Sequence, residues 1–214
     1  MLTSRAPSVC VKGLLESIAC TKGSKEHESI VAIEARPMHI HVSLLLLGAQ
    51  NGNPAMRKPT NEEGTRWIGI PPRGDPVDVY LVFKNKKGKM VERPISDFVA
   101  AAERRPDEKV DAEDIKSPHT FLFAGSLLRD NGPGPRKYSS DLSGNVISVV
   151  TFGDELLCLP GIQGHGNDSL MWRVDATYLP AIGTEVILRP KRKPAPKAGK
   201  AGPPRSARAP GAKQ

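Results

Sequence analysis

Cysteine is scarce in this 214-residue chain: Cys10, Cys20 and Cys158 are the whole complement, and no two form a C-x-x-C pair. Three thiols are one short of a four-thiolate zinc site or iron–sulfur cluster, which argues against both. Aromatic residues make up only 5%, and none alternate with basic residues along a strand-like run. A folded nucleic-acid-binding face is therefore not expected. No stretch reaches the roughly 18–20 apolar residues that a membrane-spanning helix needs. The opening MLTSRAPSVCVKG has no continuous apolar core, so no signal peptide is read there. G-x-S-x-G and H-E-x-x-H are also missing, and Gly161, Gly164 and Gly166 precede no helical pattern. These absences remove the nucleophile-elbow hydrolases, the H-E-x-x-H metalloproteases and a phosphate-cradling loop. No remaining motif names a reaction.

Acidic residues are absent from one region altogether. Residues 191–214, KRKPAPKAGKAGPPRSARAPGAKQ, contain no Asp, Glu or large apolar side chain. Eight of the 31 Lys and Arg residues lie there, which leaves the rest of the chain with as many basic residues as its 23 acidic ones. The formal charge of +8 thus belongs to the tail, and the body is neutral. Such a composition buries too little apolar surface to offset its ordering entropy, so a disordered tail is expected after a folded domain over 8–190. Its partners would be anionic surfaces, met without specificity.

What is present reads mostly as strand. Ser8–Val11 and Leu14–Thr21 are expected to pair as a hairpin about Lys12-Gly13, with Cys10 and Cys20 as two reduced, buried thiols. Ile30–Ala35 is apolar on both faces, the mark of a central strand. Pro37 then opens a Leu-rich helix that Gly48 closes, apolar nearly all round and so expected to pack on more than one side. Asn51–Asp75 reads as a long exposed loop, in which Arg73-Gly74-Asp75 caps a turn. Strands are predicted over 77–83, 90–93, 120–124, 145–152 and 184–188, with a short helix at Phe98–Glu103 and a charged surface linker at Arg104–Lys116. No strand–helix–strand rhythm appears. The fold class is therefore α+β, a mostly antiparallel sheet with two or three helices.

The titratable groups gather before and after the third strand. His27 stands between Glu26 and Glu28, His39 and His41 lie on the helix, and His119 precedes a strand. His39 and His41 are about 200° apart on a helix and cannot serve one ion. His27, Glu28, His41 and His119 are the candidate metal ligands, a donor set suited to zinc, iron or copper. The competing reading makes His27–Glu28 a turn closure and His41 a satisfied core histidine.

Five stretches carry a resemblance: KGSKEHESIVAIEARPMHIHVSLLLLGAQNGNP, PPRGDPVDVYLVFKNKKGK, PHTFLFAGS, LSGNVISVVTFGDELLCLP and ATYLPAIGTEVILRP. In order and spacing the chain resembles the YdjY-domain family, known mostly from planctomycete bacteria, from Val9 to Pro190. The family pattern maps onto Cys10, Cys20, His27, Glu28, Ser29, His41, His119, Gly125 and Ser126, and passes over His39. Some relatives are described as iron–sulfur proteins, but the cysteine run such a cluster requires is absent here. Many relatives carry an export signal, so the resemblance implies an exported or periplasmic setting. The function it implies is a non-catalytic binding or structural module of the cell envelope. The alternative is a metal-binding or redox-associated protein using His27, Glu28, His41 and His119, with Ser29 and Ser126 beside them.

Overall fold

The computed structural model describes residues 4–7 (backbone only), 12–102, 118–130, 132–162, 164 and 172–193. Strands β1 (Ser4–Pro7), β2 (Ser17–Thr21) and β3 (Ser29–Ile33) precede helix α1 (Pro37–Leu46). Two small ribbons follow: β4 (Asn51–Asn53) with β7 (Arg73–Gly74), and β5 (Met56–Pro59) with β6 (Trp67–Ile70). The long strand β8 (Pro76–Lys84) turns back into β9 (Met90–Pro94), and β10 (Val99–Ala101) comes next. β11 (Thr120–Phe123), β12 (Leu128–Arg129) and β13 (Lys137–Tyr138) lead to the short helix α2 (Ser139–Ser143). β14 (Asn145–Ser148), β15 (Leu157–Cys158), β16 (Trp172–Val174) and β17 (Glu185–Arg192) complete the described chain.

One sheet organises the molecule, in the order β1-β17-β8-β11-β15-β14-β2-β3, with β9 also paired to β8. Its pairs are antiparallel except β2–β3 and β14–β15. The expected mostly antiparallel sheet is what the structure shows, and strand far outweighs the few helices. β8 supplies the hub because Val77, Val79 and Leu81 alternate inward before Val82 and Phe83 continue the apolar run. Its side chains join Phe98, Phe121, Phe123, Ile18, Ile33 and Leu156 in one contiguous core.

β3 is buried at every residue, as a central strand would be, yet it ends the hydrogen-bonded order. The sheet curls until β1, its other end, lies against β3. Closure, rather than a second ladder, covers that edge.

Several expectations are corrected. β2 cannot form the N-terminal hairpin, because its two edges are taken by β14 and β3, while β1 pairs with β17. Residues 8–11, with Cys10, lie outside the described residues, as do the Arg104–Lys116 linker and the chain after Lys193. The stretch from Asn51 to Asp75 is not a plain loop: its ribbons set Lys58 opposite Ile68 and Pro59 opposite Trp67 on an exposed surface. Ile95–Phe98 is a 3-10 turn that runs straight into β10, which pairs with β16, so no helix starts at Phe98. β17 continues through Lys191 and Arg192, because β8 is long enough to pair with both.

α1 begins with Pro37 at its first turn, and Gly48 at φ +81° ends it, as the sequence pattern requires. Its packing differs from expectation. Pro37, Ile40 and Leu44 are buried, but Val42, Leu45, Leu46 and Leu47 are exposed. The helix packs on one face only.

Candidate functional site

β11 delivers the decisive geometry at its end. After Phe123 the chain turns through Gly125 at φ +85° and Ser126 at φ +53°, a left-handed pair in which Ser126 is the non-glycine member. A Cβ at residue 125 would lie 2.8 Å from the Asn51 side chain, so the position takes glycine for space as well as for φ. The strain at Ser126 is held by its hydroxyl, which donates to the Asp154 carbonyl at 2.5 Å and accepts the Ser140 N–H at 3.0 Å.

His41, on α1, packs its ring edge-on against Phe123 and Tyr138. Its Nδ1 lies 2.8 Å from the Tyr138 hydroxyl and 3.1 Å from the Gly125 carbonyl, and Tyr138 donates to that same carbonyl at 2.7 Å. A carbonyl only accepts, so the His41–Gly125 bond places the proton on Nδ1. Burial pushes the His41 pKa down, against the Gly125 carbonyl, which raises it. Burial, with the Asp141 charge, pushes the Tyr138 phenol up. The trio is a neutral lock joining α1, the β11 turn and β13.

Tyr138 also forms part of the wall of a cleft of about 730 Å³ at the C-terminal ends of β2 and β3. The start of α1, the β13 approach and α2 supply the remaining walls, among them Arg36, Met38, Arg136, Lys137, Asp141 and Leu142. Asp141 fastens this cleft. One carboxylate oxygen accepts the Met38 N–H at 2.9 Å, capping α1, and the other accepts Arg36 Nε at 3.0 Å and Nη2 at 2.6 Å. Lys22 pairs with Glu34 at 3.1 Å. Arg136 and Lys137 make no ion pair with a carboxylate among the described residues.

The other sequence candidates lie elsewhere. His27 sits in the 3-10 turn Glu26–Glu28 before β3, its side chain 79% exposed and 3.6 Å from Glu28. Lys25 reaches both Glu28 and Glu16, at 3.6 and 3.3 Å, over the Phe152 ring, which sets the two carboxyls side by side. Ser29 is buried and donates to the Lys25 carbonyl, closing the turn. The length of β3, roughly 13 Å at the usual rise, separates this group from the start of α1.

His119 enters β11 while His41 packs at its exit, again roughly 13 Å or more apart. His119 faces Tyr80 and lies 3.9 Å from Asp78. The structure therefore does not bring His27, Glu28, His41 and His119 together. Among the described residues no three His, Cys, Asp or Glu side chains are grouped to hold a metal ion. Of the candidates, His27, Glu28 and Ser29 stay together in the turn before β3, while His41 and Ser126 share a second neighbourhood, through Gly125 and Tyr138.

The model of the YdjY domain matches residues 3–191, from before β1 to the penultimate residue of β17. The chain belongs to the YdjY-domain family. No curated protein and no solved structure matches it.

In this YdjY domain the residues that the sequence reading missed are Tyr138, Asp141, Glu16 and Asn51. Tyr138 and Asp141 are 97 and 105 residues from their partners His41 and Arg36, so no local spacing marks them. Cys20 and Cys158 are free, buried thiols, and burial followed by the Glu155 charge raises the Cys158 pKa.

The Glu16–Glu28 pair has a measurable consequence. Burial first, and then the Glu16 carboxyl, raise the Glu28 pKa. A carboxyl raised in the folded state contributes stability below its unfolded pKa and loses it as pH rises through the folded value. Glu28→Gln should therefore flatten the stability profile from mildly acid to neutral pH and raise the neutral-pH urea midpoint above that of wild type. An unchanged slope would show that burial and Glu16 do not hold the Glu28 carboxyl above its ordinary range.

Proposed function

We propose that this YdjY domain is a non-catalytic binding module, of the cell envelope as the resemblance implies, whose ligand presents an anionic group to the cleft at the start of α1. The observation that carries this reading is the cleft itself: about 730 Å³, within the range of small-ligand sites, with Arg136 and Lys137 on its wall in no ion pair with a described carboxylate and Leu142 exposed beside them. A cationic rim next to apolar surface suits a carboxylate or phosphate ester with a short apolar body.

Non-catalytic fits the chemistry of the neighbourhood. The Tyr138 hydroxyl donates to a carbonyl and its pKa is pushed up, away from general-base duty. A metal-dependent or redox role through His27, Glu28, His41 and His119 would need those groups in one place, and β3 and β11 hold them apart.

Calorimetric titration with glutarate and with inorganic phosphate tests the reading. At least one should bind, and Arg136→Ala/Lys137→Ala should weaken that binding by about tenfold, the equivalent of about 1.4 kcal/mol. Equal affinity in the double variant, or no binding of either anion, would refute it.

A further inference from the structure

We infer that a second cleft, between the β8–β9 hairpin and the loop before β17, binds a small multiply charged phosphate, with a diphosphate group as its simplest form. This cleft shares no lining residue with the one at the start of α1, so the inference stands apart from the function proposed above.

The cavity measures about 690 Å³, again within the range of small-ligand sites. Lys84, Lys86, Lys87 and Arg93 line it, and among the described residues no Asp or Glu does. Strand alternation produces this one-sided charge. Val91 and Arg93 of β9 face the cleft, while Glu92 between them turns to the opposite face of the sheet, where Arg189 and Lys191 hold it.

The cationic wall is fixed in shape. Asn85 Oδ1 accepts the Lys87 N–H at 2.9 Å and the Lys89 N–H at 3.1 Å. The Asn85 carbonyl accepts the Gly88 N–H at 2.8 Å, and Gly88 at φ +75° completes the turn. Lys84, Lys86 and Lys87 thus leave from a set backbone. All three are exposed, and none makes an ion pair with a described carboxylate.

The facing wall is apolar. Leu179 packs against the core, and Tyr178 is 47% exposed. The Arg93 guanidinium lies 3.7 Å from the Tyr178 ring and pairs with Asp97 at 2.8 Å, which ties this wall to β9. Arg93 is therefore spent on structure, and the charge offered to a ligand is that of the three lysines.

Three like charges on one tip, with no acid facing them, repel one another, and an anion bearing several charges relieves that repulsion. Ammonium groups act as point charges. They suit a compact phosphate better than the flat, two-bond pairing that a guanidinium makes with a carboxylate. The exposed tyrosine gives the organic body of a phosphate ester a surface to lie on.

Amide chemical shifts of the full chain, followed during titration with pyrophosphate and separately with inorganic phosphate, test the inference. Pyrophosphate should give saturable shifts at Lys86, Lys87 and Gly88 and at Thr177 to Leu179. Inorganic phosphate should bind there more weakly, because it brings less charge to three cations. Lys84→Gln/Lys86→Gln/Lys87→Gln should weaken pyrophosphate at these amides by about tenfold or more, with the urea midpoint unchanged. Lys86→Gln alone should weaken it in the same direction. Arg136→Ala/Lys137→Ala should leave these shifts unaltered, which separates this cleft from the first. No saturable shift at these amides, undiminished affinity in the triple variant, or equal affinity for inorganic phosphate would overturn the inference.

Discussion

Gly74→Ala should abolish folding or cost more than about 4 kcal/mol, the largest effect of any single methyl added to this domain. Gly74 lies at φ +149°, and a Cβ there would stand 2.0 Å from the Phe123 carbonyl oxygen and 2.5 Å from its carbon. Those atoms are backbone of β11, which is fixed between β8 and β15. The next residue donates no relief either: the Asp75 carbonyl accepts the Phe123 N–H at 2.9 Å, and its carboxylate accepts the Gln50 N–H and pairs with Arg192. Gly74 and Asp75 of the Arg73-Gly74-Asp75 tripeptide are thus consumed by the fold. Gly88→Ala is the control, since it has a positive φ but nothing within 4 Å of the new methyl. It should cost about 1–2 kcal/mol. Soluble yield and urea unfolding of the two variants make the comparison, and similar losses would show that β7 and β11 are not held at this spacing.

Asp141→Ala should lower stability by about 2–3 kcal/mol, while Asp141→Asn should lose roughly half as much. The alanine removes the cap on the Met38 N–H and both bonds to Arg36; the asparagine keeps an acceptor for the cap. Arg36 is largely exposed and can return to water, so most of the loss comes from the buried end of α1. Added salt should narrow the gap between wild type and Asp141→Asn but not restore Asp141→Ala. Equal stability of the alanine variant and wild type would mean that α1 is positioned by its packing alone.

The legible parts of this fold were those with a local signal. β3, β8, β11 and β14 are short β-branched or aromatic runs between turn residues, and Pro37 and Gly48 bracket α1. Pairing was not legible, because β1 takes its partner from β17 and β2 takes one of its two from β14, each more than a hundred residues away. The ribbons between Asn51 and Gly74 were hidden for a different reason. Trp67 and Ile68 face solvent there opposite Pro59 and Lys58, so no buried alternation announces a strand.

The site divides the same way. His41, Gly125 and Ser126 stood out as residues; the left-handed turn explains why residue 125 is Gly, and the two bonds of the Ser126 hydroxyl show what that residue does there. Their meeting with Tyr138 and Asp141 depends on long-range closure that no spacing reveals. His27 and His119 looked equivalent to His41 along the chain, yet they lie at the far ends of β3 and β11.

Amide chemical-shift mapping of the full chain during titration with glutarate or phosphate tests the binding-cleft account most directly. Shifts concentrated at Met38, Lys137, Tyr138 and Asp141, around the cleft that these residues line, are the expected result. Shifts centred instead on Glu28 and His27 or on His119, or no saturable shift anywhere, would contradict it.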